Sequence, residues 1–168
     1  MKKNILDEID TKILNILQED CRKSLDEISK TIDVPKSTVY YRIKRLESLG
    51  VIEGYYAKVN PKMLGNDYFT ITLVKAKYGP GYHKKIGRIL SRIKGVWAVY
   101  YVLGEYDFVV LARAKNRENF IGNILEKFIN YEEIERTNTI VIVDIINEDP
   151  RVDIEHLDQE KISKKKTD

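Results

Sequence analysis

Apolar residues recur through the first fifty positions at three- and four-residue steps, the period of an amphipathic helix. Ile9, Ile13, Ile16 and Leu17 predict a helix over residues 5–19, with Asp7, Glu8 and Asp10 where a helix N-terminus favours anions. Leu25, Ile28 and Ile32 predict a second helix, opened by Ser24 with Glu27 three residues later, the spacing of a capping box. After a break at Asp33-Val34, Pro35 takes the first position of a third helix, where no amide donor is needed. Val39, Ile43, Leu46 and Leu49 supply its apolar stripe, and Gly50 ends it. Two short helices, a tight turn and a third helix make the helix-turn-helix plan, in which the second helix of the motif enters the major groove of DNA.

Beyond Gly50 the period shortens. Val51 to Asn60 is rich in β-formers and predicts a connecting strand, ended by Pro61 and the Leu64-Gly65 pair. Then a strand–helix–strand order runs twice. Tyr68 to Lys77 is a strand, and Tyr82, Ile86, Ile89, Leu90 and Ile93 mark a helix that stops at Gly95. Val96 to Leu103 and Phe108 to Ala114 form a hairpin around Gly104 to Asp107. Phe120, Ile121, Ile124, Leu125, Phe128 and Ile129 mark the second helix, and Ile134 to Ile146 the last strand. This βαββαβ order is the ferredoxin-like unit, so the expected class is α+β. The domains read as residues 1–52 for the helix-turn-helix, 53–66 for the linker, 67–146 for the ferredoxin-like domain and 147–168 for a charged, poorly ordered tail.

Two helices cover one face of a four-stranded sheet, so the other face of a monomer should be polar. Phe108-Val109-Val110-Leu111-Ala112 and Ile140-Val141-Ile142-Val143 are instead apolar at consecutive positions, hence on both faces. A symmetric partner sheet is the simplest cover. A dimer also sets two recognition helices about one DNA turn apart, ~34 Å, as a two-fold operator requires.

Composition changes the picture mainly along the third helix. The formal charge of the 168-residue chain is only +3, so basicity is local. The fourteen residues from Lys36 carry four cations against one anion, Glu47. Lys36, Ser37, Thr38, Tyr40, Tyr41, Arg42, Lys44 and Arg45 lie off the apolar stripe and are the candidate contacts to double-stranded DNA. The bland alternative is an amphipathic helix with a solvated basic face. A second basic row, Lys84, Lys85, Arg88 and Arg92, reads as a solvated face, with DNA wrapped on a larger assembly as the sharper alternative.

Candidate catalysis is thin. His83 and His156 have no carboxylate or cysteine at a recognisable spacing, and one cysteine, Cys21, supports neither a disulfide nor a Cys/His metal set. Gly79-Pro80-Gly81 lacks the Lys-Ser/Thr of a phosphate loop. No cofactor, metal or catalytic residue is expected. No apolar run approaches the ~20 residues of a membrane span, and the acids in the first ten residues break any signal core, so a cytoplasmic protein is expected.

Taken together, these features resemble the Lrp/AsnC, or feast/famine, transcription regulators. The resemblance is carried by Leu6-Asp7 with Asp10 and Ile13-Leu14, the helix-turn-helix ending in STVYYRIKRLESLGVIEGY, Asn60-Pro61, Leu64-Gly65, the Gly104-x-x-Asp107 turn, and Thr139 entering the last strand. It implies an N-terminal helix-turn-helix domain, winged or simple, a C-terminal ligand-sensing domain, and homodimers often assembled into tetramers or octamers. It also implies an amino-acid effector held between sensing domains, pointing to Gly104, Tyr106 and Asp107 with Thr139, Ile140 and Val141. Asp107 would pair with the α-amino group and amides of the Gly104 turn with the carboxylate; the bland reading of Gly104 and Asp107 is a plain hairpin turn. A sirohaem-decarboxylase-like enzyme of related fold, or a sensing module without DNA work, are the alternatives. Pro35 departs from the serine often found there and cannot cap through a side chain, so either Asp33 caps the helix or the helix begins differently.

Overall fold

A computed structural model describes residues 6–154. They divide into two compact units, with boundaries after Ala57 and after Glu148. The first holds α1 (Glu8–Glu19), α2 (Leu25–Ile32) and α3 (Lys36–Ser48). Ile13, Ile28, Val39 and Leu46 are wholly buried between them, as the helical period requires. Leu49, the last member of the expected stripe, is half exposed because α3 has already ended. Gly50, with φ of +68°, donates to the Glu47 carbonyl while Val51 donates to that of Leu46. This Schellman pairing satisfies the carbonyls left open at a helix end.

Both N-terminal caps are side-chain devices. Ser24 and Glu27 form the expected box, the Ser24 amide donating to the Glu27 carboxylate at 2.7 Å and the Glu27 amide to the Ser24 hydroxyl at 3.3 Å. Asp7 and Asp10 form a second box on α1. The start of α3 differs from expectation. Pro35 is the N-cap and Lys36 the first helical residue, and no side chain caps this helix. Asp33 instead closes α2 in the left-handed region at φ 53°, a conformation that aspartate tolerates better than most residues. The turn is held by Ser29, whose carbonyl accepts from the Val34 amide and whose hydroxyl donates to the Val34 carbonyl at 2.6 Å.

Val51 to Asn60, expected as a strand, joins no ladder among the described residues. Of its residues only Ile52 is even partly buried. The tail also departs from expectation. The Gln18 side-chain amide donates to the Val152 carbonyl at 3.0 Å and accepts from its amide at 2.7 Å. Ile154 is 8% exposed within the helix-turn-helix core. The final residues, 155–168, lie outside the described residues.

The second unit contains β1 (Tyr68–Ala76), α4 (Tyr82–Ser91), β2 (Val96–Tyr101), β3 (Phe108–Ala114), a helical run and β4 (Ile134–Ile142). The run comprises α5 (Arg117–Phe120), a π-helical turn (Ile121–Leu125) and α6 (Glu126–Ile129). The sheet order is β2-β3-β1-β4, antiparallel throughout, the ferredoxin-like arrangement. β4 is shorter than expected because Phe69–Ile142 is the last pair that β1 offers. Val143 and Ile146 beyond it are exposed.

Register assigns the faces. Thr70, Thr72, Val74 and Ala76 of β1 lie in line with Val110, Ala112 and Ala114 of β3, and the apolar members pack with Ile86, Leu90, Phe120, Ile124 and Phe128 of the helices. Phe69, Ile71, Leu73, Tyr100, Val109, Leu111, Ile140 and Ile142 fall on the opposite face, where no element of this unit packs as a layer. Tyr100 and Ile140 there are 53% and 50% exposed.

Docking of the C-terminal segment has a measurable consequence. Ile154→Ala should lower the stability of the helical unit by roughly 2 kcal/mol, the low end for a buried isoleucine near the surface. Gln18→Ala should cost ~1 kcal/mol. Urea unfolding followed by circular dichroism reads both; an unmoved midpoint for Ile154→Ala would exclude the docking.

Candidate nucleic-acid interface and effector turn

The outward face of α3 carries Lys36, Ser37, Tyr40, Tyr41 and Lys44 in solvent, with Thr38 partly covered. Tyr41 is 73% exposed, and its ring meets that of Tyr40 edge-on at 5.9 Å. Both lysines rest on carboxylates: Lys36 on the exposed Asp26 at 2.9 Å and Lys44 on the half-buried Glu47 at 2.8 Å. Such pairs are worth little in water and yield readily to a phosphate. Glu47 is also the acceptor for Tyr55 at 3.2 Å. Burial and that bond push the Tyr55 hydroxyl up to about 12.

Arg42 and Arg45, also expected at the DNA, carry ion pairs to α1, Arg42 with 29% and Arg45 with 43% of its side chain exposed. Arg42 turns toward α1, where one guanidinium nitrogen bonds Asp7 and reaches Asp10 at 3.2 Å. Arg45 reaches the same Asp10 at 3.0 Å. The Asp10 side chain has no exposed surface. A buried carboxylate is tolerated only when paired and hydrogen-bonded; here two guanidinium groups and the Asp7 amide supply that. The two arginines therefore fasten the recognition helix to α1. Their pairing with Asp10 spans more than thirty residues and leaves no local signature. The one sequence hint was Asp7-x-x-Asp10, a capping box written with aspartates.

The six residues expected at the effector site do not converge in one chain. Asp107 is 3% exposed, and its carboxylate is already engaged. It accepts from the Ala76 amide at 2.9 Å and the Tyr82 hydroxyl at 3.3 Å, with the Lys75 ammonium at 3.5 Å. Its backbone joins Val74 and Val102. Asp107 thus knots the strand ends together, with its carboxylate nearly buried and already hydrogen-bonded. Hydrogen bonding to Tyr101, burial and the Asp107 charge raise the Tyr82 hydroxyl above its ordinary value. Thr139 bonds the Thr72 hydroxyl at 3.0 Å on the helix side. Ile140 lies on the open face and Val141 on the helix side, both near half exposed. Gly104 stands in open space.

What the turn does assemble is a charged pair that the sequence reading overlooked. Arg136 of β4 reaches Glu105 at 2.6 Å and lies 5.1 Å from the centre of the Tyr106 ring. Both charges are exposed. Guanidinium, carboxylate and ring thus meet where β4 passes the turn.

The Asp10 knot predicts distinct acid and neutral behaviour. Burial alone would raise Asp7, but the Asp10 amide and the Arg42 guanidinium outweigh it and hold its carboxyl below the ordinary 3.8. Its contribution is complete above that value and lost as pH falls through the lower folded value. Asp7→Asn should therefore flatten the acid limb of the melting curve below about pH 4. Asp10→Asn should destabilise at neutral pH by roughly 3 kcal/mol, since it removes the buried negative charge and sets an NH2 donor in place of one of the two oxygens that the arginines share. Melting temperature against pH checks both; a neutral-pH melt unchanged in Asp10→Asn would contradict the knot.

Two family models match the chain, one in each part. Residues 6–53 match the family model of winged helix-turn-helix DNA-binding domains, and residues 71–152 match that of the Lrp/AsnC ligand binding domain. An uncharacterised HTH-type transcriptional regulator of Pyrococcus abyssi is 40% identical over 149 residues, covering 89% of this chain and 99% of that protein. The HTH-type transcriptional regulator FL11 of Pyrococcus furiosus is 38% identical, covering 87% of this chain and 95% of that protein. A feast or famine regulatory protein of M. tuberculosis, solved with L-methionine, superposes with a TM-score of 0.78 at 26% identity, covering 88% of this chain and 98% of that one. A transcriptional regulator of Neisseria meningitidis in complex with L-Met shares the fold at a TM-score of 0.84 and 21% identity, covering 90% and 99%. No helix among the described residues is long and apolar enough to cross a membrane. With a DNA-binding helix-turn-helix followed by the sensing fold in one continuous match, the chain belongs to the Lrp/AsnC family of transcriptional regulators.

Proposed function

We propose that the chain works as a sequence-specific regulator whose assembly or DNA binding responds to an amino acid. The observation that carries the DNA half is the split of α3 into two sides. Arg42 and Arg45 hold one side to α1, leaving Lys36, Ser37, Thr38, Tyr40, Tyr41 and Lys44 to present lysines, hydroxyls and rings to a duplex. Lysines engage phosphates, while hydroxyls and aromatic edges reach bases and sugars. Two such helices come from a homodimer joined through the helix-free face of the sheet, with tetramers or octamers built from it.

The effector half rests on the Gly104–Asp107 turn and on the L-methionine complexes of the relatives. In this chain Arg136 takes the carboxylate and Glu105 the ammonium, while Tyr106 flanks the side chain and Gly104 leaves room for approach. Thr139, Ile140 and Val141 of β4 contribute from an adjoining sensing domain. Regulation follows if the amino acid binds one arrangement of the assembly better than the other.

Calorimetric titration with the twenty amino acids, read beside light scattering, tests the sensor. Glu105→Gln and Arg136→Gln should each abolish the heat of the amino acid that binds; heat from none of the twenty would remove the sensor role. For DNA, the operator is selected from random duplexes by the full-length protein. Lys36→Ala with Lys44→Ala should reduce the slope of log affinity against log salt by about 2, one phosphate contact each. Tyr41→Ala should weaken the selected operator more than random duplex. An unchanged slope and unchanged preference would take α3 out of the interface.

A further inference from the structure

At the end of the sheet opposite the effector turn lies a cleft of about 530 Å³, within the usual range for small-molecule sites. It sits where β2 begins and β3 ends. Arg113, Lys94 and Lys115 bring three cations to its walls, Asn119 and Asn123 two amides, and Trp97 an aromatic floor. The Arg113 guanidinium lies 4.5 Å from the centre of the Trp97 ring.

Three features distinguish this cleft from a solvated basic surface. The Arg113 Nε is buried and has no hydrogen-bond partner among the described residues, a costly state for a charged donor. Neither Lys94 nor Lys115 has its ammonium on a carboxylate among those residues. The helix that supplies Asn119 and Asn123 widens into its π-turn at Ile121–Leu125, a distortion frequent at functional sites because it re-aims side chains. Gly95 fixes the rim: a Cβ there would stand 2.8 Å from the Arg113 carbonyl and from Ile124.

A carboxylate already tests the site from within the chain. Glu148 approaches the Arg113 Nη2 at 3.5 Å, a loose contact that leaves the other two cations unanswered. Glu148 directly precedes the segment that carries Val152 and Ile154 to the helical unit. We infer that this cleft binds a compact organic or inorganic dianion, a dicarboxylate or a phosphate-bearing metabolite, held by Arg113, Lys94 and Lys115 against Trp97. Its charge separates it from the zwitterion of the effector turn. The bound dianion displaces Glu148 from Arg113 and so acts at the root of the C-terminal segment.

Trp97 is the single tryptophan of the chain, so its emission reads the cleft directly. The full-length protein is titrated with succinate, with inorganic phosphate and with L-leucine, each against sodium chloride at matched ionic strength. A saturable change with succinate identifies the dicarboxylate source and with phosphate the phosphate source; neither chloride nor leucine should saturate. The affinity should fall at least tenfold in Lys94→Ala with Lys115→Ala, two surface positions whose variants keep the wild-type melt, and should rise several-fold in Glu148→Gln. A response no different from chloride, an equal response to leucine, or saturation undiminished in the double variant would overturn the proposal. So would a double variant whose mass by light scattering drops with the signal, since that would put a second copy of the chain in the cleft.

Discussion

The helix-free face of the sheet is the constraint from which the proposed arrangement follows. Two helical layers lie on one side and bury Val74, Val110, Ile86 and Phe128. The same four strands turn Ile71, Leu73, Val109, Leu111 and Ile140 the other way. Each buried apolar side chain is worth roughly 1.5–3 kcal/mol relative to exposure, so leaving a contiguous set uncovered forgoes more than a marginal domain can spare. A second copy of the same face is the cover that needs no new sequence. Symmetric pairing of that kind, as proposed, would also give the regulator two recognition helices from one chain type.

A different economy governs the helical unit. It is small, and its core has four wholly buried side chains supplemented by Ile154 from the far end of the chain. Asp10 adds a polar tie between α1 and α3. Because the recognition helix has no side-chain N-cap, its orientation depends on Val39, Leu46 and the two arginines. Basic residues on a recognition helix thus divide into those that face outward and those that hold the helix, and composition alone cannot separate them.

Much of this was legible in the residues because it rests on local period and spacing. The Ser24–Glu27 box, the three helices, and the hairpin ending at Ala114 follow from patterns a few residues long. The misread features depend on distant partners. Val51 to Asn60 has strand composition but pairs with no strand among the described residues, and β4 ends at Ile142 in its pair with Phe69. The ion pairs of Arg42 and Arg45 gave no signal because Asp10 lies more than thirty residues away. Asp107 looked like an amine receptor, yet the Ala76 amide, Tyr82 and Lys75 converge on it only in the folded sheet. Ile154, one of four apolar residues scattered through a charged stretch, gave no helical or strand period to read.

Pairing through the open face is tested most directly by the mass of the protein in solution before and after a charge is placed on that face. Wild-type protein should scatter light as a dimer or a multiple of one. Leu111→Glu should be monomeric, retain the helical circular dichroism of a folded chain, and lose its affinity for a two-fold operator. A monomeric wild type, or a Leu111→Glu variant that keeps both its mass and its operator affinity, would contradict pairing through this face.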